Sequence, residues 1–254
     1  MAPKFPDATR PHAIDTKSVL SALAGLDEIR DADPKGKVIV SYSDGKESRT
    51  CMDLAVRSFG VDRVLAFNMQ FIPGMPLLEA KLRTAEARWK LPTPITRVMH
   101  WGTADEIRRS TYCIPSPELL DRLAPITGLG DIYRIVRAKL GNWPIVMGGK
   151  AGDGVWRRWM KSKRVFSWEH NRIHYPLWNW TSTSVKAYLV SRGIGVPASA
   201  KDDGSGFDLH WRSLLWLHDN HPEDFAMMAR VFPFIVSVPA RRTFYPKAYE
   251  PRPA

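Results

Sequence analysis

The chain has 254 residues, 44% of them hydrophobic and 25% charged, the composition of an ordinary globular protein with room for one large domain or one plus a small appendage. No stretch approaches the roughly 18 apolar residues of a spanning helix, and Met1 to His12 is polar and Pro-rich without a signal-peptide core, so the expectation is a cytoplasmic protein with no membrane partner. Its two cysteines, Cys51 and Cys113, are too few for a disulfide framework, a Cys-rich zinc site or an iron–sulfur cluster, while a net charge of +11 favours a polyanionic partner over none.

In chain order, residues 1 to 16 read as an irregular N-terminal arm. Val19, Leu20, Leu23, Leu26 and Ile29 fall at helical spacing and predict a first amphipathic helix over Lys17 to Ile29. Asp31 to Gly36 supplies a turn. The β-branched run Val38, Ile39, Val40 within Lys37 to Tyr42 predicts a buried strand, followed by a polar turn and a helix from Glu47 to Phe59. A second strand is expected over Arg63 to Met69, a helix over Pro76 to Lys90 and a third strand over Ile95 to His100. Thr111 to Gly130 is less regular, with one helix at Pro117 to Leu123, and another helix follows from Gly130 to Leu140. Trp143 to Gly149 predicts a fourth strand ending in paired glycines.

Beyond Gly154 the chain becomes aromatic and basic, interleaving Trp156, Trp159, Trp168, Trp178 and Trp180 with Arg157, Arg158, Lys161, Lys163 and Arg164. This stretch suits base stacking with phosphate contacts, or equally tryptophans filling a core beneath basic residues. Thr183 to Arg192 reads as a helix capped by Thr181 or Ser182, and Ser213 to Val231 as a last helix before a Pro-rich basic tail. The fold class is therefore α/β: a Rossmann-like, mostly parallel sheet with helices on both faces and a helical, basic C-terminal extension. The domains divide as an arm over 1–16, a nucleotide-binding domain over 17–192 and the extension over 193–254.

Parallel sheets bind ligands at the carboxyl ends of their strands, where the turns at 43 to 48 and 148 to 154 both belong. A turn that leaves a strand and opens a helix presents unpaired N–H groups at the positive end of the helix dipole, a ready phosphate site. Gly45 lets a ligand approach, Ser41, Ser43 and Ser48 offer hydroxyls, and Lys46 offers charge. The alternative is a plain helix start capped by Ser43 or Asp44. No Walker A pattern occurs.

Ser41-Tyr42-Ser43-Asp44-Gly45-Lys46-Glu47-Ser48 resembles the Ser-x-Ser-Gly-Gly-Lys-Asp-Ser loop of the N-type, or PP-loop, ATP pyrophosphatases, with Asp44 in place of the first Gly and Glu47 in place of Asp. Gly148-Gly149-Lys150-Ala151-Gly152-Asp153-Gly154 ahead of Arg157-Arg158, then Tyr175-Pro176-Leu177-Trp178-Asn179-Trp180-Thr181 ahead of Val185 and Tyr188, is similar to the phosphoadenosine-phosphosulfate (PAPS) reductase-like branch of that superfamily. The resemblance spans residues 35 to 192.

The resemblance implies adenine against Phe67, Asn68 and Met69. It implies phosphates or sulfate between the loop Ser41 to Ser48 and the basic groups Lys150, Arg157 and Arg158, with Gly148, Gly149 and Asp153 also nucleotide-binding and Lys46, Lys150 and Arg157 as the catalytic charges. Asp44 beside phosphates either repels them or holds Mg2+. The nucleotide is ATP, or PAPS or its 3′-dephospho form APS. True reductases of this branch use a C-terminal cysteine, which this chain lacks; Cys51 is expected to be buried and Cys113 is the one candidate thiol. The leading expectation is cleavage of ATP between the α and β phosphates to adenylylate a substrate, such as a nucleic-acid base. The alternatives are sulfonucleotide binding or reduction, and a non-catalytic module for nucleotide or nucleic acid. His170 and His174, spaced i and i+4, lack a third metal ligand and read as surface or core residues.

Overall fold

The structure is a computed structural model, and the residues described are 16–155, 172–196 and 209–245. Among the described residues five strands, β1 (Val38–Ser41), β2 (Val64–Gln70), β3 (Thr96–Met99), β4 (Ile145–Val146) and β5 (Ile173–His174), form one sheet of order β3-β2-β1-β4-β5. β1 pairs parallel with β4 through Ile39 and Ile145, β4 parallel with β5 through Ile145 and Ile173, and β2 parallel with β3 through Phe67 and Thr96. Together with the helices around the sheet this is the expected α/β architecture.

The chain packs as two compact units, one of residues 1–65 with 143–197 and the other of residues 66–142 with 198–254. In the first, Val38, Ile39 and Val40 of β1 and Ile145 and Val146 of β4 have no solvent exposure, the state that β-branched runs in a sheet covered on both faces require. Among the described residues this unit holds the helices α1 (Thr16–Ala32), α2 (Lys46–Phe59) and α7 (Ser182–Ser191). α2 packs against both α1 and α7 and buries Cys51, Met52, Leu54, Ala55 and Phe59. A buried polar tie joins α2 to α7. The Tyr188 hydroxyl donates to Asp53 Oδ2 at 2.5 Å, Arg192 Nε donates to the same oxygen at 3.0 Å, and Arg57 donates to the Tyr188 oxygen at 2.9 Å. Burial first, then the neighbouring Asp53 carboxylate, push the Tyr188 hydroxyl pKa well up, so the phenol remains a donor.

The second unit carries α3 (Pro76–Trp89), α4 (Trp101–Arg108), α5 (Pro117–Leu123), α6 (Leu129–Leu140), α8 (Trp211–Asn220), α9 (Pro222–Val231) and α10 (Ser237–Phe244). Its core joins Met75, Ala104, Ile107 and Cys113 to Leu214, Leu217, Phe225, Met228, Phe232 and Ile235. The α3 start is fixed to this core by Asp224, a buried residue whose Oδ1 accepts from the Leu77 N–H at 3.2 Å.

Several elements differ from expectation. The single helix expected over Ser213 to Val231 is two, because Pro222 supplies no N–H to continue a helix and His221 sits at φ −141°, ψ 67°. Part of the expected Pro-rich basic tail is helical, α10. The fourth strand is cut to two residues, and α4 and β5 lacked a sequence signal: α4 starts directly after β3, with the His100 Nδ1 accepting from Gly102 N–H at 3.0 Å as its cap. Among the described residues no helix is long and apolar enough to cross a membrane.

Candidate functional site

Because β1 and β4 are paired parallel neighbours, with Val40 opposite Val146, the turns that follow them leave the same edge of the sheet side by side. They touch. A β carbon built on Gly148 would stand 2.7 Å from Cβ of Glu47 and 3.1 Å from its backbone carbon, so only glycine lets the β4 turn lie against the first turn of α2. Lys150, 5% exposed, places its Nζ on Glu47 Oε1 and 3.1 Å from Asp153 Oδ1, and its own N–H donates to Asp153 Oδ2 at 2.9 Å. Lys46 Nζ lies 3.1 Å from the same Glu47 oxygen. Burial raises the Glu47 pKa, but hydrogen bonds from Lys150 and Lys46 outweigh it and hold the carboxyl below its usual range.

The start of α2 carries the local features of an anion site. Gly45 is its N-cap residue and no side chain caps the helix, so the expected alternative of a cap by Ser43 or Asp44 is not what the structure contains. At Gly45 φ is −72° and an added β carbon would meet only Ser43 Oγ, at an ordinary 3.4 Å. Neither backbone conformation nor packing therefore demands glycine there; what its lack of a side chain provides is open approach to the helix N–H groups. The Ser48 hydroxyl, buried, donates to the Gly45 carbonyl at 2.9 Å, and Ser43 Oγ lies 3.4 Å from it, so both serines hold the turn. Ser41 ends β1 and is half-buried.

Asp44 adopts φ 61°, the left-handed region that costs an ordinary L-residue energy and that Gly, Asn and Asp tolerate best. Its carboxylate is taken up locally. Arg49 Nε donates to Oδ1 at 2.9 Å and Nη2 to Oδ2 at 2.8 Å, a two-pronged fork, and the Tyr42 hydroxyl donates to Oδ1 at 2.7 Å. Arg49 Nη1 also donates to the Gly195 carbonyl at 2.6 Å, beyond the end of α7. Arg49 and Tyr42 did not stand out in the sequence; the one signal for Arg49 was an opposite charge five residues after Asp44.

For a magnesium ion the donors fit poorly. Both Asp44 oxygens accept from Arg49 or Tyr42, Glu47 is committed to two lysines, and among the described residues no group of three or more His, Cys, Asp or Glu could hold a metal.

Of the remaining residues singled out in the sequence, Phe67, Asn68 and Met69 lie on β2 in the second unit, paired with Thr96, Arg97 and Val98, with Phe67 and Asn68 buried. Gly149 is buried in the β4 turn. Arg157 and Arg158, most of the Trp- and Arg-rich stretch, and His170 lie outside the described residues. His174 ends β5 with its ring against α1 at Gly25; burial lowers its pKa to about 4, and Nε2 is enclosed with no hydrogen-bond partner, which is the core reading. Both thiols are buried. Burial pushes the Cys51 thiol far up and the Cys113 thiol up as well, and Cys113 packs inside the second unit's core, which overturns its candidacy as a reactive thiolate.

A cavity of about 470 Å³ opens beside Lys150, lined also by Asp153, Trp178, Trp180, Thr181 and Ser182. It joins the β4 turn to the start of α7, where the Thr181 hydroxyl accepts from Ser184 N–H at 3.0 Å.

No protein-family model matches the sequence, and no curated protein matches it. Comparison with solved structures finds the NH3-dependent NAD synthetase from Campylobacter jejuni, in complex with a nitrate ion, at TM-score 0.48 and 12% identity, covering 94% of this chain and 98% of that one. It also finds the glutamine-dependent NAD+ synthetase from Acinetobacter baumannii in complex with ADP, at TM-score 0.48 and 12% identity; all of this chain is covered but only 48% of that one, so the chain spans about half its length.

Proposed function

We propose that this protein binds an adenine nucleotide by its phosphates at the start of α2 and cleaves ATP between the α and β phosphates to adenylylate a second substrate. The observation that carries the reading is the uncapped α2 start at Gly45, with Lys46 on it and the β4 turn pressed against it at Gly148. Helix N–H groups and the Lys46 ammonium supply fixed positive charge where phosphate charge concentrates, and such electrostatic stabilisation is the main requirement of phosphoryl-centred chemistry. In the reaction a substrate oxygen attacks the α phosphorus, the bond from that phosphorus to the bridging oxygen breaks, and pyrophosphate leaves with the bond electrons. Phe67, Asn68 and Met69 keep the adenine-binding role that the motif resemblance gives them, and Lys150, Arg157 and Arg158 the phosphate-binding one. The net charge of +11 supports a nucleic acid as the acceptor.

Incubation with ATP, magnesium chloride and candidate RNA or DNA, followed by measurement of pyrophosphate and of adenylylated acceptor, tests the reading. Release of pyrophosphate that depends on the acceptor is expected. Tight ATP binding with no turnover on any acceptor would favour the non-catalytic alternative, and no ATP binding would remove the proposal. Sulfonucleotide reduction is the weaker reading because both thiols are buried and held protonated.

A further inference from the structure

The turn between β1 and α2 contains an apparent contradiction: a carboxylate, Asp44, stands directly before the glycine that opens the helix N-terminus to phosphate. We infer that Arg49 resolves it, acting as a positioning residue that neutralises Asp44 and fixes the turn in its phosphate-accepting conformation. The inference rests on the reading of this turn as a phosphate site.

Three observations carry it. The Arg49 fork meets both Asp44 oxygens at 2.8 and 2.9 Å, with the two side chains only 14% and 17% exposed, so the charges face each other with little water between them. The Tyr42 hydroxyl adds a third donor to that carboxylate from a ring that is 1% exposed. Asp44 itself occupies the left-handed conformation at φ 61°, where a glycine would sit without strain; the fork and the tyrosine hold a non-glycine residue there.

The charge inventory has a direct consequence. From Asp44 to Arg49 the turn carries two carboxylates, Asp44 and Glu47, and two cations, Lys46 and Arg49. Removing Arg49 leaves the turn net negative, with a carboxylate that keeps the Tyr42 hydroxyl but has no countercharge one residue from the helix opening; removing both partners of the fork returns it to neutrality. Arg49 also holds the Gly195 carbonyl at 2.6 Å, a purely structural tie that is lost equally in both variants. Rescue therefore separates charge neutralisation from scaffolding.

The test is a double-mutant cycle by isothermal titration with two probes, inorganic pyrophosphate and ATP, both in the presence of a chelator, with thermal melts to verify folding. Arg49→Ala is expected to weaken pyrophosphate binding by about tenfold or more, and Asp44→Gly/Arg49→Ala to recover to within about threefold of the parent. Asp44→Gly alone should bind at least as tightly as the parent. Should Arg49→Ala not fold, comparison of Asp44→Gly with the double variant carries the test: without the carboxylate, loss of Arg49 should cost less than about threefold. An Arg49→Ala variant with unchanged affinity, or a double variant that stays as weak as Arg49→Ala, overturns the inference. Pyrophosphate binding that follows this pattern in a protein that ignores ATP removes the adenine-nucleotide reading and leaves the role of Arg49 standing. ATP binding indifferent to Arg49 does the reverse, and a parent that binds neither probe removes both.

Discussion

Gly148 and Glu47 come so close that a single added methyl group on Gly148 would overlap Cβ of Glu47 at 2.7 Å and crowd its backbone at 3.1 Å. The neighbour is the backbone and stem of a helix rather than the tip of a flexible chain, so the structure has little way to yield. Gly148→Ala should lower stability by about 1 to 3 kcal/mol, the range for overpacking a well-packed site. It should also weaken ATP binding, because the α2 start is what moves. Denaturant melts and titration of the same variant check both; a variant as stable as the parent would mean the two turns are not in contact.

Lys46→Ala should weaken ATP binding by roughly ten- to a hundredfold, since one charge-assisted contact contributes about 1.5 to 3 kcal/mol. Stability should change little, because Lys46 is partly exposed and its ion pair with Glu47 leaves Glu47 still paired with Lys150. Equal affinities for parent and variant would remove Lys46 from the site.

His174 sets an acid limit on stability. Burial lowers its pKa to about 4 from an ordinary 6.5, so the folded state holds the neutral ring while the unfolded chain takes up a proton more readily. The stability associated with this ring is complete above pH 6.5 and is lost as pH falls from there toward 4, by roughly 3 kcal/mol in all. His174→Leu should flatten the fall in melting temperature between pH 7 and pH 4.5. Identical pH profiles for parent and variant would contradict the buried neutral state.

Neither thiol should react in the folded protein. Cys51 and Cys113 are buried with raised pKa values, so an aromatic disulfide reagent at pH 7 should modify both only after unfolding, and Cys51→Ala with Cys113→Ala should keep ATP binding. A native thiol that reacts within seconds would reopen sulfonucleotide chemistry.

The features legible in the sequence were those in which local pattern and tertiary demand agree. Val38 to Val40 is β-branched and buried on both faces, and the polar turn after it opens a helix in which Cys51, Leu54, Ala55 and Phe59 recur on the buried side. Pro117 and Thr181 mark helix starts by residue type alone. β5 was hidden because two residues cannot display a period, and α4 because its cap is a histidine, whose ring nitrogen accepts an N–H only when the ring is neutral. At the start of α2, the turn containing Gly45 and Lys46 was readable as the one that opens the helix. The partners of Asp44 were not: Asp44 itself is left-handed, which brings its carboxylate to the Tyr42 hydroxyl, and Arg49 reaches back from within the helix, so both contacts depend on a backbone bend that residue types do not announce.

The strand that precedes the turn at Gly45 has β2, close in sequence, on one side, but gains its other sheet neighbour, β4, only late in translation. Ile39 of β1 pairs with Ile145, roughly a hundred residues further along, and Ile145 in turn with Ile173. Closing so long a loop carries an entropic cost that later contacts must recover, and such non-local pairing slows folding. On the ribosome, the turn at Gly45 therefore emerges long before the glycine pair that packs against it, and the chain from β2 to α6 is synthesised in between. A nascent chain released ahead of β4 would carry the whole β1 turn and α2 but lack Gly148 and Lys150, leaving Glu47 without its buried cation. Assembly of the turn is thus coupled to completion of the chain through at least β4.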